Sequence, residues 1–247
     1  MEKIAEFAAM LRQSRGTVFF GGAGVSTESG IPDFRSVDGL YRQQWSEMPE
    51  TILSRSYFDR HTEEFYRFYR AKMLFPDAQP NAAHLALAKL EKKGLLRAVI
   101  TQNIDGLHQK AGSRQVIELH GSVHRNHCMR CGRAYPLDAV LRGGGVPHCT
   151  CGGIIKPDVV LYEEALPEGA MEEAEKAVNR AEVMIIGGTS LSVYPAAGFA
   201  RMFPGKIVLI NRTPTDLDGR CALVFRENIG EVMAKTLACL EEAEKTA

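Results

Sequence analysis

The sequence predicts an α/β protein: a parallel sheet with helices on both faces, to which a smaller lobe is attached. Three observations predict it. Short apolar runs and helical patterns alternate along the chain, as parallel strands joined by crossover helices require. Each apolar run is followed at once by glycine or by hydrogen-bonding side chains, and ligands of open parallel sheets bind at such strand ends. Two segments, 38–79 and 124–157, break the rhythm and are read as insertions that form the smaller lobe.

The strands come first. Apolar, β-branched or aromatic runs at 18–20, 98–101, 116–119, 183–186, 207–210 and 222–225 have the continuous hydrophobicity of strands buried on both faces. The opening stretch carries Glu2 and Glu6 with Ile4, Phe7 and Leu11 at helical spacing, which reads as an amphipathic helix and not as an export signal. A second helix is expected over 81–93, where two lysines and then Gly94 suit the helix dipole and a left-handed cap. A third, over 167–180, opens with proline and acidic residues. Segment 38–79 is aromatic, charged and mostly helical in pattern, whereas 124–157 is rich in Cys, Gly and Arg with little periodicity.

Composition narrows the function classes. The chain has 247 residues, 45% hydrophobic and 24% charged, an ordinary globular balance. Thirty basic and thirty acidic side chains cancel. That neutrality removes the field that bulk nucleic-acid binding or a charged membrane surface calls for. His124, Arg125, Arg130, Arg133 and Arg142 supply only local positive charge, so direct nucleic-acid binding is not expected. No apolar run approaches the ~18 residues that span a membrane. Six cysteines, four at metal-ligand spacing and two (Cys221, Cys239) standing alone, fit a reducing compartment better than a disulfide framework. A cytoplasmic monomer is the expectation.

The strand ends deliver Gly22, Ala23 and Gly24, then Gln102 to Asp105, then His120, then Gly188 to Ser190, then Asn211 to what should be one crevice. Gly22-Ala23-Gly24 followed by Ser26 and Thr27 lets backbone N–H groups approach a phosphate. The fingerprint is incomplete: Thr27 holds the place of its third glycine, and no strand-end acid follows about twenty residues on. A glycine-rich turn without a ligand therefore stays open as a reading. Asp33, Phe34 and Arg35 follow, and a ring and a guanidinium there suit a flat heterocycle and a pyrophosphate; otherwise Phe34 is core and Arg35 a surface ion pair. Asn103 and Asp105 suit ribose, amide or water, or else form an Asx turn that caps the next helix. His120 ends a strand and is placed to act as a general base near neutral pH, the alternative being a packed histidine.

Cys128-x-x-Cys131 and Cys149-x-Cys151 supply four thiolates and no open position, the pattern of a structural Zn2+. A redox pair at Cys128 and Cys131, or His127 or His148 in place of one cysteine, are the rivals. So small a module lacks a core of its own, so metal binding would supply its folding energy.

Taken together, these residues resemble the sirtuins, NAD-dependent protein lysine deacylases. The matching stretches are GAGVSTESGIPDFR from Gly22 to Arg35, PNAAH from Pro80 to His84, TQNID from Thr101 to Asp105, ELHG from Glu118 to Gly121, the four cysteines, KPDVV from Lys156 to Val160 and GTSL from Gly188 to Leu191. They extend over nearly the whole chain in the family's order. The resemblance implies a Rossmann-like NAD domain (1–35, 80–122 and 158–247), a helical module (36–79) and a zinc module (123–157). It implies that Gly22, Ala23, Gly24, Thr27, Asp33, Phe34, Arg35, Gln102, Asn103, Ile104, Asp105 and His120 surround the ribose, phosphates and nicotinamide of NAD. Gly188, Thr189, Ser190, Asn211 and Ile229 would hold the adenosine half. Val159, Val160 and Tyr162, with Leu191 and Val193, would sandwich an acetyl-lysine peptide as an added strand.

The implied chemistry assigns catalysis to His120, Asn103 and Asp105. The latter two position ribose, water and the nicotinamide amide, and His120 deprotonates a ribose hydroxyl, so that the acetyl group passes to ADP-ribose as nicotinamide is released. Two departures bear on substrate. Tyr162-Glu163-Glu164 stands where the family has a Phe-Gly-Glu type of run, removing a glycine beside the peptide channel. The acidic-acyl subgroup carries a tyrosine followed three residues later by arginine, whereas here Tyr66 is followed by Tyr69, with Arg70 one place late. Deacetylation is expected over desuccinylation. Mono-ADP-ribosyl transfer and a non-catalytic NAD sensor are the other readings of the same residues.

Overall fold

The computed structural model describes residues 2–34, 45 and 47–245. In chain order the strands are β1 (Thr17–Gly21), β2 (Ala98–Thr101), β3 (Val116–Glu118), β4 (Gly121–Cys128), β5 (Ala134–Pro136), β6 (Ile155–Val159), β7 (Val183–Gly187), β8 (Lys206–Ile210) and β9 (Leu223–Phe225). Six of them form one parallel sheet in the order β3-β2-β1-β7-β8-β9. All six strands expected from the apolar runs are present, with ends displaced by at most a residue. β1 and β7 are buried along their whole length at the centre of the sheet. The chain builds outward from β1 to one side and then returns to begin its second half beside β1. That reversal opens a crevice between the carboxyl ends of β1 and β7, where doubly wound sheets bind their ligands.

Strand side chains alternate between two cores, as the two-residue period of a strand requires. Phe19, Val99, Ile185 and Val208 face one core with Phe7 and Leu11 of α1 (Glu2–Gln13), Leu87 and Leu90 of α5 (Ala82–Lys92) and Leu237 of α10 (Ile229–Lys245). Phe20, Ile100, Ile186 and Leu209 face the other, with Val178 of α8 (Glu168–Asn179) and Ala200 of α9 (Ala197–Met202). With helices on both sides, the strands need no polar face. The helix expected over 81–93 is α5. Asn81 is its cap, accepting from the Ala83 N–H at 2.9 Å, while the His84 Nδ1 accepts from the Asn81 N–H at 3.3 Å.

The smaller lobe pairs a three-stranded antiparallel sheet, β5-β4-β6, with α2 (Pro49–Ile52), α3 (Arg55–Arg60), α4 (Thr62–Lys72) and α7 (Asp138–Leu141). Phe65, Tyr66, Phe68 and Tyr69 recur at helical spacing on α4 and are all buried. They share one apolar cluster with Val140, Cys128, Cys149 and Ile155. The Tyr66 hydroxyl donates to the Ile155 carbonyl. The expectation of a coreless metal module is thereby amended: its inner half borrows the aromatic core of the helical segment.

Candidate active site

One cavity of about 510 Å3 lies where the strand order reverses and runs out between the sheet and the smaller lobe. Its size is that of sites for small organic molecules. β1 ends and the chain turns at once through Gly22, Ala23 and Gly24, with the Gly22 N–H donating to the Gly187 carbonyl at 3.1 Å and the Gly24 N–H to the Gly188 carbonyl at 2.8 Å. The two strand-end loops are in direct backbone contact. A Cβ on Gly188, which has φ 58, would lie 2.3 Å from the Val25 nitrogen, so only glycine fits there. The Thr27 hydroxyl donates to the Gly24 carbonyl at 3.0 Å. Thr27 thus closes a tight helical turn where the dinucleotide fingerprint uses its third glycine.

Behind this loop, three polar side chains from distant positions meet. The Ser26 hydroxyl donates to Asp105 Oδ2 at 2.7 Å, and Asn103 Nδ2 donates to the same hydroxyl at 3.1 Å. Asp105 Oδ1 accepts from the Leu107 N–H at 2.9 Å. One oxygen makes the Asx cap, as expected, and the other joins the Ser26–Asn103 network. The Asp105 carbonyl in turn accepts from His124 Nε2 at 2.9 Å, tying the loop to β4.

His120 is half-buried on the cavity wall, with Nδ1 2.9 Å from the Gln102 carbonyl. A carbonyl only accepts, so Nδ1 carries the proton and Nε2 keeps its lone pair. Burial holds the imidazole pKa below its ordinary value, while the bond to Gln102 pulls it back up. The ring is neutral at pH 7 and able to take up a proton. Gln102 also donates to the Thr189 hydroxyl at 3.2 Å, linking the ends of β2 and β7. Beneath this wall His84 and His108 pack edge to face, ring centroids 4.7 Å apart and both essentially inaccessible. Burial lowers the His84 pKa to about 4 and that of His108 to about 3, with repulsion from His84 adding to the latter.

The remaining candidates divide clearly. Asp33, Phe34, Ile104, Ser190, Asn211 and Ile229 line the same cavity. Asn211 is turned partly onto its own loop, donating to the Thr213 carbonyl at 2.8 Å. Glu28 fixes the start of α10 near the cavity by accepting from the Gly230 N–H at 3.0 Å. Phe34 also packs against the aromatic cluster of the smaller lobe, so it is both core edge and cavity wall. Arg35 lies outside the described residues. Val159, Val160, Tyr162 and Val193 line the outer part of the cavity. Leu191 does not: its side chain is buried in the core against α9, and its backbone has φ 55. The Leu191 carbonyl accepts from Arg201 Nη2 at 3.1 Å.

The four cysteine sulfurs lie within 4.8 Å of one another, with Cys128 and Cys151 at 3.5 Å and Cys131 and Cys149 at 3.6 Å. A tetrahedral zinc with bonds of about 2.3 Å needs sulfurs about 3.8 Å apart, and the donor set fits. The Cys149 thiol is drawn down to about 5 by the backbone N–H of Cys151 and the Tyr135 hydroxyl 3.0 Å away, which favours the thiolate that metal requires. His127 is engaged elsewhere, by Asp158, and His148 by the Val146 carbonyl, so neither replaces a cysteine. A dinucleotide fits the larger site on equally local grounds: close-packed glycine loops, a half-buried neutral imidazole and a partly buried polar triad open into one cavity.

Sequence reasoning left Ser26 and His124 out of the candidate site. Both touch Asp105, from 79 and 19 positions away. Ser26 sat within a motif already recognised, and only its partners across the fold give it a part.

Comparison with known proteins agrees with this geometry. Residues 22–195 match the model of the Sir2 family. An NAD-dependent protein deacetylase of Clostridium acetobutylicum is 53% identical over 94% of this chain and 97% of its own length. One of Thermotoga maritima is 43% identical over 95% of this chain and 97% of its own. A Sir2 variant solved with deacetylated p53 peptide and 3′-O-acetyl ADP ribose superposes with a TM-score of 0.88 at 41% identity, covering 95% of this chain and 97% of that one. Strand order, glycine loops, cysteine cluster and these likenesses converge: the chain belongs to the Sir2 family.

Proposed function

We propose that this chain is an NAD-dependent protein lysine deacetylase that transfers the acetyl group of acetyl-lysine to ADP-ribose and releases nicotinamide. The observation that carries the reading is His120, whose Nδ1 is committed to the Gln102 carbonyl and whose ring lines the same cavity as the glycine loops and the Ser26–Asn103–Asp105 network. Bound NAD supplies a glycosidic bond to nicotinamide, the breaking of which makes the ribose electrophilic toward an acyl oxygen. Gly22, Ala23, Gly24 and Thr27 line the phosphates, and Gly188, Thr189, Ser190, Asn211 and Ile229 take the adenosine side. Gln102 and Ile104 shape the inner wall with Asn103. Asn103 Nδ2 and the Asp105 carboxylate, both oriented by Ser26, hold the ribose and the nicotinamide amide. Asp33 and Phe34, which line the cavity, cover the inner pocket against water, and the resemblance adds Arg35, outside the described residues, to the cofactor contacts. His120 Nε2 then takes up the hydroxyl proton, and its lowered pKa keeps it unprotonated for that step.

The peptide enters between residues 159–162 and 191–193 and adds as a strand, with Val159, Val160, Tyr162 and Val193 on its flanks and the Leu191 backbone supporting it. Acetyl is favoured over acidic acyl groups by the fate of Arg70. Its Nε and Nη2 donate to the Val140 and Gly145 carbonyls at 2.7 and 2.6 Å, and it is not among the cavity-lining residues. The division into 1–35, 80–122 and 158–247 as the NAD domain, 36–79 as helical module and 123–157 as zinc module belongs to the same reading. So does action as a cytoplasmic monomer without nucleic acid; the neutral charge balance supports the absence of nucleic acid, and four cysteines at metal-ligand spacing suit a reducing compartment. No helix among the described residues is long and apolar enough to cross a membrane.

The test is turnover of matched acetyl and succinyl peptides with NAD, following nicotinamide and O-acetyl-ADP-ribose together. Both products should appear with the acetyl peptide. A strong succinyl preference would overturn the acyl assignment, and labelled ADP-ribose on protein without loss of acetyl groups would favour the transferase reading.

A further inference from the structure

In the segment that follows β6, Glu163 holds a left-handed backbone conformation that favours glycine, with φ 75. Neighbouring pairing holds it in place. The Tyr162 N–H donates to the Leu53 carbonyl at 3.0 Å, and the Tyr162 carbonyl accepts from the Arg55 N–H at 2.9 Å. The Glu163 carboxylate then reaches α3, where it accepts from the Ser56 N–H at 2.8 Å and from the Ser56 hydroxyl at 2.9 Å. An exposed acid on a left-handed residue is thereby held in one orientation on the rim of the cavity, beside the exposed Tyr162.

Among the described residues no cation pairs with it. Arg55 pairs with Asp59 and with Glu164, and Lys156 pairs with Glu164. Those two cations balance the carboxylates of Asp59 and Glu164. Glu163 makes no ion pair among the described residues, so it leaves the cluster one negative charge in excess. A carboxylate has about four acceptor sites, and Ser56 occupies two, so capacity for a further donor remains.

We propose that Glu163 is a specificity-determining residue, selecting acetyl-lysine peptides that carry a cationic side chain beside the acetylated residue. The inference rests on the deacetylase reading and narrows its substrate class. Three acetyl peptides that differ only in the residues flanking the acetyl-lysine (Arg, Gln or Glu) would be compared by kcat/KM. The wild type should prefer Arg over Gln and Gln over Glu, by about threefold to fivefold at each step, as a partly exposed ion pair supplies. High salt should compress that range. Glu163→Gln keeps an acceptor for Ser56 and removes the charge, while Glu163→Gly removes both charge and side chain; in each, the Arg-to-Gln ratio should fall to about one. Ratios within one variant are independent of how much of it folds. Equal use of the three peptides by the wild type, or a preference that survives both substitutions, overturns the inference alone. Failure to turn over any acetyl peptide with nicotinamide release overturns the deacetylase reading, and the inference with it.

Discussion

Ser26 shows how partners across the fold decide what a side chain can do. Its hydroxyl donates to Asp105 and accepts from Asn103, so one small buried group orients both of the polar residues that face the cavity. Ser26→Ala leaves Asn103 and the Asp105 carboxylate each short of a bond, at a cost of about 1–3 kcal/mol for a hydrogen bond to a charged group. The expected outcome is a fall in kcat/KM of roughly tenfold or more, with a melting temperature lower by a few degrees; unchanged steady-state kinetics would contradict the network's role. At this scale the sequence was informative about residue types and poor about roles. Asn103, Asp105 and His120 stand out because they follow strands, and all three line the cavity, whereas no local pattern distinguishes Ser26 from an ordinary turn serine. Leu191 was expected to flank the peptide by its motif position, but its side chain turned inward because the left-handed backbone at that point directs it into the core against α9.

The elements were legible where hydrophobic period and turn chemistry agreed. β1, β2, β7 and β8 are short apolar runs followed by glycine or polar residues, and α5 carries its cap signals at both ends. The three-stranded sheet of the smaller lobe was not legible, because β4, with its buried and exposed residues out of strict alternation and a register shift between Ser122 and Asn126, lacks a clear period. Two predictions belong here. Gly188→Ala forces a Cβ to within 2.3 Å of the Val25 nitrogen in a left-handed residue, at a cost of about 1–3 kcal/mol. The two strand-end loops should separate, and thermal-shift measurements should show a lower melting temperature with most of the stabilisation by NAD lost; a full NAD-induced shift would argue against the loop contact. Removal of zinc should loosen the aromatic cluster shared by Cys128, Cys149 and α4. Trp45, the sole tryptophan, packs edge to face on Phe68 at 5.2 Å. Its fluorescence should change on chelation and recover when zinc is restored, whereas an indifferent spectrum would detach the metal from this core.

For the whole molecule, the topology could be read only as a class. Alternating strands and helices predict parallel pairing, yet the sequence does not say that β7 lies beside β1, and it is this adjacency that brings the glycine loops together. The histidine pair below the cavity gives the folded state a pH dependence of its own. His84 and His108 titrate near 4 and 3 when folded and near 6.5 when unfolded, so the unfolded chain binds protons first as the solution is acidified. Their contribution to stability is complete above pH 6.5 and is lost as pH falls toward 4 and then 3. Each histidine contributes a slope of about 1.4 kcal/mol per pH unit within its window. Urea denaturation at pH 7 and pH 5 should therefore show a clearly lower midpoint at pH 5, and His108→Gln should flatten the difference. An identical decline in that variant would assign acid sensitivity to other groups.

One imidazole, held by Gln102 in the cavity where the strand order reverses, is proposed to accept the proton that commits the acetyl group to ADP-ribose. The direct measurement pairs calorimetric NAD binding with single-turnover deacetylation for the wild type and for His120→Tyr. The predicted result is that the variant retains NAD affinity within a few-fold while its rate of acetyl transfer falls by at least about a hundredfold, the scale of a lost general base. Acetyl transfer at near wild-type rate in the variant would contradict the assignment of His120.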